Sequence, residues 1–365
     1  MLPNSAPQGK EIVYFPYWRF KGMLFSCLVD GIQHRFIDVS QQAIQSSYFP
    51  VSVGLRSQAL KLKFISPQDE GTFLKPAVSL NKTIEMFKER FCSTLPQPIL
   101  DHAHVGDTTS LIYSPFYIDG KVYDAILNQP VSQSLPEDFE AASFDSGRAD
   151  WQINFMPALC PDCGWDMDGR KDSFALSCRN CNSVWEAVKN GYRKLKHAYI
   201  PEDGDDIRYL PFWRLKAEIS GIHLESYADL IKVANLPKVA QDGWEEIPFH
   251  FWVPAFKVKP KKFISLSTNF TLAQPREKMR QDIPDAPLHP VTLPIQEAVE
   301  SLKMNLASFL KPKRIVETRL PDIQIKAKSF ALIYIPFVEK HHDLVQPLFK
   351  QAVNKNMLSL ISRNL

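Results

Sequence analysis

The sequence predicts an α+β protein: two related β-rich modules, each with one packing helix, bridged by a small ribbon built on four cysteines. Three observations lead there. The phrase "YFPYWRFKG" at 14–22 returns as "YLPFWRLKA" at 209–217, with Tyr, Pro, Trp, Arg and Lys in the same places. Further aromatic-Pro-aromatic phrases follow in the same order in each half. Between the halves stand two CxxC pairs.

Each half opens on the repeated phrase. Tyr, Phe and Trp favour strands, and alternation sends successive side chains to opposite faces. Pro cannot donate to a sheet ladder, so Pro16 and Pro211 are expected at a strand start, an edge or a bulge. The next phrases are "YFPVS" at 48–52 and "WVPAF" at 252–256. A "KFIS" stretch, at 63–66 and 262–265, reads as a strand in each half, and a Pro-containing loop follows it. Then comes a helix, over 80–91 and over 293–310. Ile295, Val299, Leu302, Leu306 and Phe309 recur at three- and four-residue steps, one helical face. Asn81 and Pro294 suit helix starts. Glu85 and Lys88 correspond to Glu300 and Lys303. The halves close on "YSPFY" at 113–117 and "YIPFV" at 334–338, with Pro115 matching Pro336. "YDAILNQPV" at 123–131 and "HDLVQPL" at 342–348 follow them. The expected division is a first module over 1–148, a ribbon over 149–192 and a second module over 193–365. The repeated modules themselves cover roughly 10–145 and 195–365. The aromatic residues are expected to build cores rather than a slot for sugars, bases or Pro-rich peptides.

The ribbon reads "CPDCGWDMDGRKDSFALSCRNCNSVWEA". Cys160 and Cys163 form the first pair, Cys178 and Cys181 the second. Each CxxC can form a tight turn whose amides point at the sulfurs. Two such turns on a hairpin supply four thiolates in a tetrahedron. Gly164 suits a positive-φ position, and Asn182 the equivalent one. "SFALS" and "SVWEA" read as the strands. The pattern predicts one metal ion. Zinc fits the strand pattern, and rubredoxin-type iron is the alternative. Four Cys ligands leave no open position, so the ion is structural.

On these residues the ribbon resembles the transcription-factor-IIB type. Together with the "PFW" strands and a helix followed by "YIPF", the chain resembles a loosely defined set of bacterial zinc-ribbon proteins. Labels for that set point to transcription factors or a primosomal helicase, and it brings no established activity. A Walker A phosphate loop is absent from the sequence, so a helicase reading has no support. Here the ribbon lies between two modules instead of at the N-terminus.

The net charge of +3 across 365 residues excludes a strongly basic nucleic-acid footprint at whole-chain level. The 28 Pro against 14 Gly favour stiff, extended segments over flexible linkers. The longest apolar runs, "FALIYIPFV" and "FHFWVPAF", fall well short of the roughly 20 residues a spanning helix needs. The N-terminal stretch lacks a signal-peptide pattern. A cytoplasmic protein is expected, with membrane association only through a partner. Cys27 and Cys92 lie in apolar stretches and read as buried, inert thiols.

Weaker features have ordinary readings. His102 and His104, and His341 and His342, could hold a second metal but read as polar loop residues. "PEDGDD" at 201–206 lacks the spacing of a calcium loop. The basic runs "RKLKH", "KVKPKK" and "KPKR" read as solvated strand edges, where Lys discourages pairing. No nucleophile elbow, phosphate loop, dinucleotide fingerprint or open metal site occurs. The expected function is a zinc-binding, non-enzymatic scaffold, adaptor or assembly subunit that contacts other proteins. A nucleic-acid-binding ribbon protein is the alternative, and an unrecognised enzyme the third reading. Partners are expected to dock on exposed sheet edges or on an apolar patch at the ribbon, anchored by Trp165 or Trp185.

Overall fold

A computed structural model describes all residues except 1–9, 55–61, 66–69, 93–94, 97, 137–143, 148–154, 171, 240 and 360–365. Strands dominate and helices are fewer. The first sheet is built from β1 (Val13–Leu28), β2 (Gly31–Gln42), β3 (Thr72–Phe73), β4 (Ile99–Ile118), β5 (Val122–Asp124) and β6 (Gln129–Pro130), with helix α1 (Leu80–Cys92) between β3 and β4. Its order is β2-β1-β4-β5-β6, with β3 also on β1. A three-stranded sheet follows, β7 (Ala175–Cys178), β8 (Ser183–Val188) and β9 (Gly191–Leu195), in sequence order.

The last sheet comprises β10 (His197–Tyr199), β11 (Ile207–Ile219), β12 (Phe251–Pro254), β13 (Ile325–Lys340), β14 (Asp343–Gln346) and β15 (Gln351–Asn354). Its order is β12-β11-β13-β14-β15, with β10 on β13. Its helices are α2 (Tyr227–Val233), α3 (Pro260–Ala273), α4 (Ile295–Glu300), α5 (Leu302–Phe309), α6 (Lys313–Arg319) and α7 (Lys355–Ser359). Among the described residues no helix is long and apolar enough to cross a membrane.

Contacts group the chain into two compact units. The first holds 1–22, 37–95 and 106–154, and the second holds 23–36, 96–105 and 155–365. The first unit centres on Phe15, Tyr17, Phe49, Leu74, Phe116 and Val122. Phe15 stacks on Phe49 with ring centroids 4.2 Å apart. The second unit has the larger core, with Phe212, Trp213, Trp252, Phe263, Leu302, Leu306 and Phe337 among its members. The aromatic residues of the repeated phrases are therefore core residues, as expected.

The register explains why a proline sits inside these strands. Antiparallel β11 and β13 place Tyr209 opposite Pro336 and Pro211 opposite Tyr334. Neither proline is at a strand start. The edge of β11 that bears Pro211 is shared by two short partners. Leu288 bridges Tyr209 in parallel, and β12 begins its pairing at Phe212. Pro211 fills the gap between them, where no donor is needed. Its carbonyl still accepts a hydrogen bond from the Ala255 amide (2.9 Å). Pro16 in β1 is placed alike: β3 pairs in parallel at Val13 and Tyr14, and the Ala43 amide donates to the Pro16 carbonyl at 2.9 Å.

The indoles are fixed alike. The Trp18 indole N–H donates to the Val78 carbonyl (2.7 Å), two residues before α1. That of Trp213 donates to the Leu293 carbonyl (2.9 Å), two residues before α4. Trp213→Phe should destabilise the second unit by about 3 kcal/mol, since it leaves a buried carbonyl unpaired and a small void. Urea unfolding would check this, and a loss below about 1 kcal/mol would reject that role.

Three local expectations are corrected. The stretch 262–265 is not a strand but part of helix α3. Pro260 starts the helix at its first turn, and Phe263, Leu266, Ser267 and Phe270 share its buried face. Its counterpart Lys63–Ile65 is irregular, and Ser66 lies outside the described residues. Residues 48–52 do not form a strand either. Serine side chains hold that segment in turns: the Tyr48 amide donates to Ser46 Oγ and the Val53 amide to Ser40 Oγ. Helix α1 is capped by Ser79 rather than begun at Asn81, since the Lys82 amide donates to Ser79 Oγ and the Thr83 amide to its carbonyl.

The edge strand β12 is also closed. The Trp252 amide donates to Thr271 Oγ1 (3.0 Å), and the His250 amide donates to Gln274 Oε1 (3.1 Å). The Gln274 side-chain amide returns a hydrogen bond to the His250 carbonyl. Side chains of α3 and its left-handed cap thus occupy the ladder groups an incoming strand would use.

Candidate metal centre

The first turn of the ribbon is closed by the Gly164 amide donating to the Cys160 carbonyl, and by the Cys160 amide donating to the Trp165 carbonyl, both 2.8 Å. Gly164 has φ +73°, and nothing stands within 4 Å of where its Cβ would be. The backbone conformation, not crowding, calls for glycine there. In the second turn Cys178 pairs with Ser183 at the mouth of the β7–β8 hairpin, and Asn182 takes φ 54°. Both positive-φ expectations hold. Asn182 also accepts a hydrogen bond from the Ile283 amide (3.4 Å) through its side chain.

These turns bring the four sulfurs together. One Sγ from each of Cys160, Cys163, Cys178 and Cys181 lies within 4.8 Å of all the others. Cys160 to Cys181 and Cys163 to Cys178 are each 3.5 Å. Bonds of about 2.3 Å to a tetrahedral ion set sulfurs about 3.8 Å apart, so this arrangement fits a metal. Among the described residues no other group of three or more His, Cys, Asp or Glu has such geometry.

The sulfurs are not equivalent. Burial opposes ionisation of Cys160, but hydrogen bonds from Ser183 and the amides of Cys163 and Asp162 outweigh it and bring the thiol down to about 6. For Cys181 the Ser183 hydrogen bond is outweighed by burial and the neighbouring sulfurs, which push it up to about 12. Four thiolates this close repel one another unless a cation shares their charge.

Ser183 links the sulfurs to the ribbon core. Its Oγ accepts the Trp185 indole N–H (2.8 Å) and lies 3.0 Å from Cys181 Sγ. With that lone pair occupied, the hydroxyl proton is free to point at sulfur. Nothing in the sequence marked Ser183 beforehand; a serine two residues after a ligand and two before a Trp is too common a pattern. Trp185 is buried with Met167, Leu176 and Tyr192, whereas Trp165 is 62% exposed. The two ribbon indoles therefore differ: one packs and one faces outward.

The ribbon is joined to its own unit at several points. The Phe174 amide donates to the Val291 carbonyl (2.8 Å), and Arg179 donates to the Pro284 carbonyl (3.2 Å). β9 leads directly into β10, which pairs in parallel with β13.

The remaining candidates are apart from this centre. His102 and His104 lie on β4 with ring centroids 5.9 Å apart, and His341 and His342 lie in the β13–β14 turn. "PEDGDD" is exposed up to its last residue. Of the basic runs, "RKLKH" lies on strands, but "KVKPKK" leads into α3 and "KPKR" into α6. Cys27 is buried, and burial first, then Asp101, pushes its thiol up to about 11, as suits an inert residue. The side chain of Cys92 lies outside the described residues. No family model matches the chain, nor does any curated protein or solved structure.

Proposed function

We propose that this protein is a zinc-binding scaffold or assembly subunit, in which two copies of one α+β module flank a zinc ribbon of the transcription-factor-IIB kind. The observation that carries the reading is the closed four-cysteine set. A zinc ion held there has every position filled by protein, so it orders the ribbon and takes no part in chemistry. The aromatic side chains that could otherwise form a ligand slot are spent in the cores.

Matched hydrogen bonds support the duplication. The amides of Ala77 and Val78 both donate to the Ala43 carbonyl, and those of Thr292 and Leu293 both donate to the Ala255 carbonyl. The Leu74 amide donates to the Tyr14 carbonyl as the His289 amide does to that of Tyr209. Asn128 and Lys350, in the turns after β5 and β14, share positive φ of 53° and 51°. In this reading Ala43 matches Ala255, so "WVPAF" corresponds to residues 40–44 and not to "YFPVS".

The closed edge of β12 directs docking away from that strand and toward the ribbon's exposed Trp165. Affinity purification of wild type and Trp165→Ala, followed by mass spectrometry, tests this. The expected result is a partner protein lost in the variant while the bound zinc stays. Submicromolar binding to DNA or RNA at about 150 mM salt would overturn the scaffold reading in favour of nucleic-acid binding.

A further inference from the structure

The two copies of the repeated phrase carry the same charges, but their arginines meet different partners. Arg19, sixth in "YFPYWRFKG", makes a two-pronged ion pair with Asp38 on β2. Its Nε donates to Asp38 Oδ1 at 2.7 Å and its Nη2 to Oδ2 at 2.6 Å. Both side chains are about one-tenth exposed. Arg214 occupies the same place in "YLPFWRLKA". Counting back from Ala43 and Ala255, which hold equivalent positions on the two prolines, Asp38 matches His250. The carboxylate is replaced by an imidazole.

Arg214 is left half-buried without a carboxylate among the described residues. Its one hydrogen bond goes from Nη1 to Met279 Sδ (3.6 Å), a weak acceptor. Burial lowers its affinity for its own proton, and no acidic group opposes that shift. His250 faces the same charges. Burial, then the positive charge of Arg214, bring its imidazole down to about 4. The ring Nδ1 lies 3.1 Å from the Pro248 carbonyl, so the neutral ring donates there and its Nε2 takes no part in that bond. Lys216, two residues on from Arg214, is exposed and adds a further positive charge acting on His250.

A half-buried guanidinium without an anion is costly, and its fork is matched to one planar partner. We propose that Arg214, with the exposed Lys216 two residues on, forms a binding site for an external carboxylate, which takes the place that Asp38 fills inside the first copy and that the neutral His250 leaves without an anion. The ligand class follows from that internal pair. Arg19 shows this fork grasping a carboxylate with both prongs, at the corresponding place in β1. The site uses none of the four cysteines; it rests on the duplication proposed above but not on the scaffold role.

Titration of the full-length, zinc-loaded chain labelled with ¹⁵N-arginine tests the proposal. The probes are acetate and an end-blocked Gly-Asp-Gly peptide, each against chloride at equal ionic strength. The Arg214 Nε signal, identified by its absence in Arg214→Gln, should shift and saturate with a carboxylate probe. Saturation by both probes means any accessible carboxylate serves. Saturation by the peptide alone means an acidic side chain of a protein partner, and by acetate alone a small acid. Calorimetry should show Arg214→Gln binding the effective probe at least tenfold more weakly. His250→Asp supplies an internal carboxylate, so it should abolish binding and raise the melting temperature by several degrees. If His250→Asp does not fold, the Arg214→Gln affinity alone decides. Shifts no larger than with chloride, unchanged affinity in Arg214→Gln, or a folded His250→Asp that binds as wild type would overturn the site. Inorganic phosphate binding more tightly than either carboxylate would overturn the ligand class.

Discussion

Cys178→Ser is expected to empty the metal centre and unfold the ribbon while leaving the second sheet folded. Metal analysis should read one zinc per wild-type chain and none in the variant. The effect is large because so small a unit has little core of its own: Cys160, Met167, Cys178 and Trp185, with Leu176 and Tyr192 packed beside them. Binding of a structural zinc by four thiolates contributes on the order of 10 kcal/mol, far more than those few side chains can supply. Hydrogen exchange locates the damage. Amides of β7, β8 and β9 should lose protection. Those of β11 and β13 should keep it, since that pair runs through the main core. The loss should extend to the Ile283 amide, which donates to the Asn182 side chain, and to the Phe174 amide, which donates to the Val291 carbonyl. Iron in place of zinc, or full protection of a metal-free ribbon, would reject the assignment.

Asp38→Ala should destabilise the first unit by about 3–5 kcal/mol, because it strands the buried Arg19 charge. Arg214→Gln should cost no more than about 1 kcal/mol, since that guanidinium has no carboxylate to lose among the described residues. Replacing both members of the first pair, Arg19→Met with Asp38→Leu, should recover most of the loss by removing the unpaired charge. Urea unfolding of the three variants against wild type measures this. If Asp38→Ala and Arg214→Gln cost the same, the contrast between the two arginines is only apparent.

The mistaken elements share a cause. "KFIS" is four residues long, and at that length a strand and a helical segment look alike. The helical period shows only across Phe263, Leu266 and Phe270, with Pro260 as the start signal. "YFPVS" resembles "WVPAF" in its letters, yet three serine hydroxyls, those of Ser40, Ser46 and Ser52, hold the chain around it in turns. Side-chain hydrogen bonds of that kind leave no period to read. Ser79 rather than Asn81 caps α1 for a similar reason: both residue types make good caps, and the approach of the preceding chain selects between them.

Sequence by itself determined the four clustered cysteines, the positive-φ places at Gly164 and Asn182, the strands of the phrases at 14–22 and 209–217, and helical structure over 80–91 and 293–310, although the second is broken at Ser301 into α4 and α5. Each rests on local chemistry: two sulfurs in one turn, a backbone angle at one residue, or a period within a few turns. Tertiary structure alone decided how Pro211 is tolerated, since that depends on where β12 stops and Leu288 starts along the same edge. It alone decided that Trp185 is buried and Trp165 exposed, and that helix α3 closes the edge of β12. The carboxylate partner of Arg19, and the absence of one for Arg214 among the described residues, also belong to it. Charge pairing acts over a few ångströms in space, and the residues that meet there are set by strand register, which no short stretch of sequence contains.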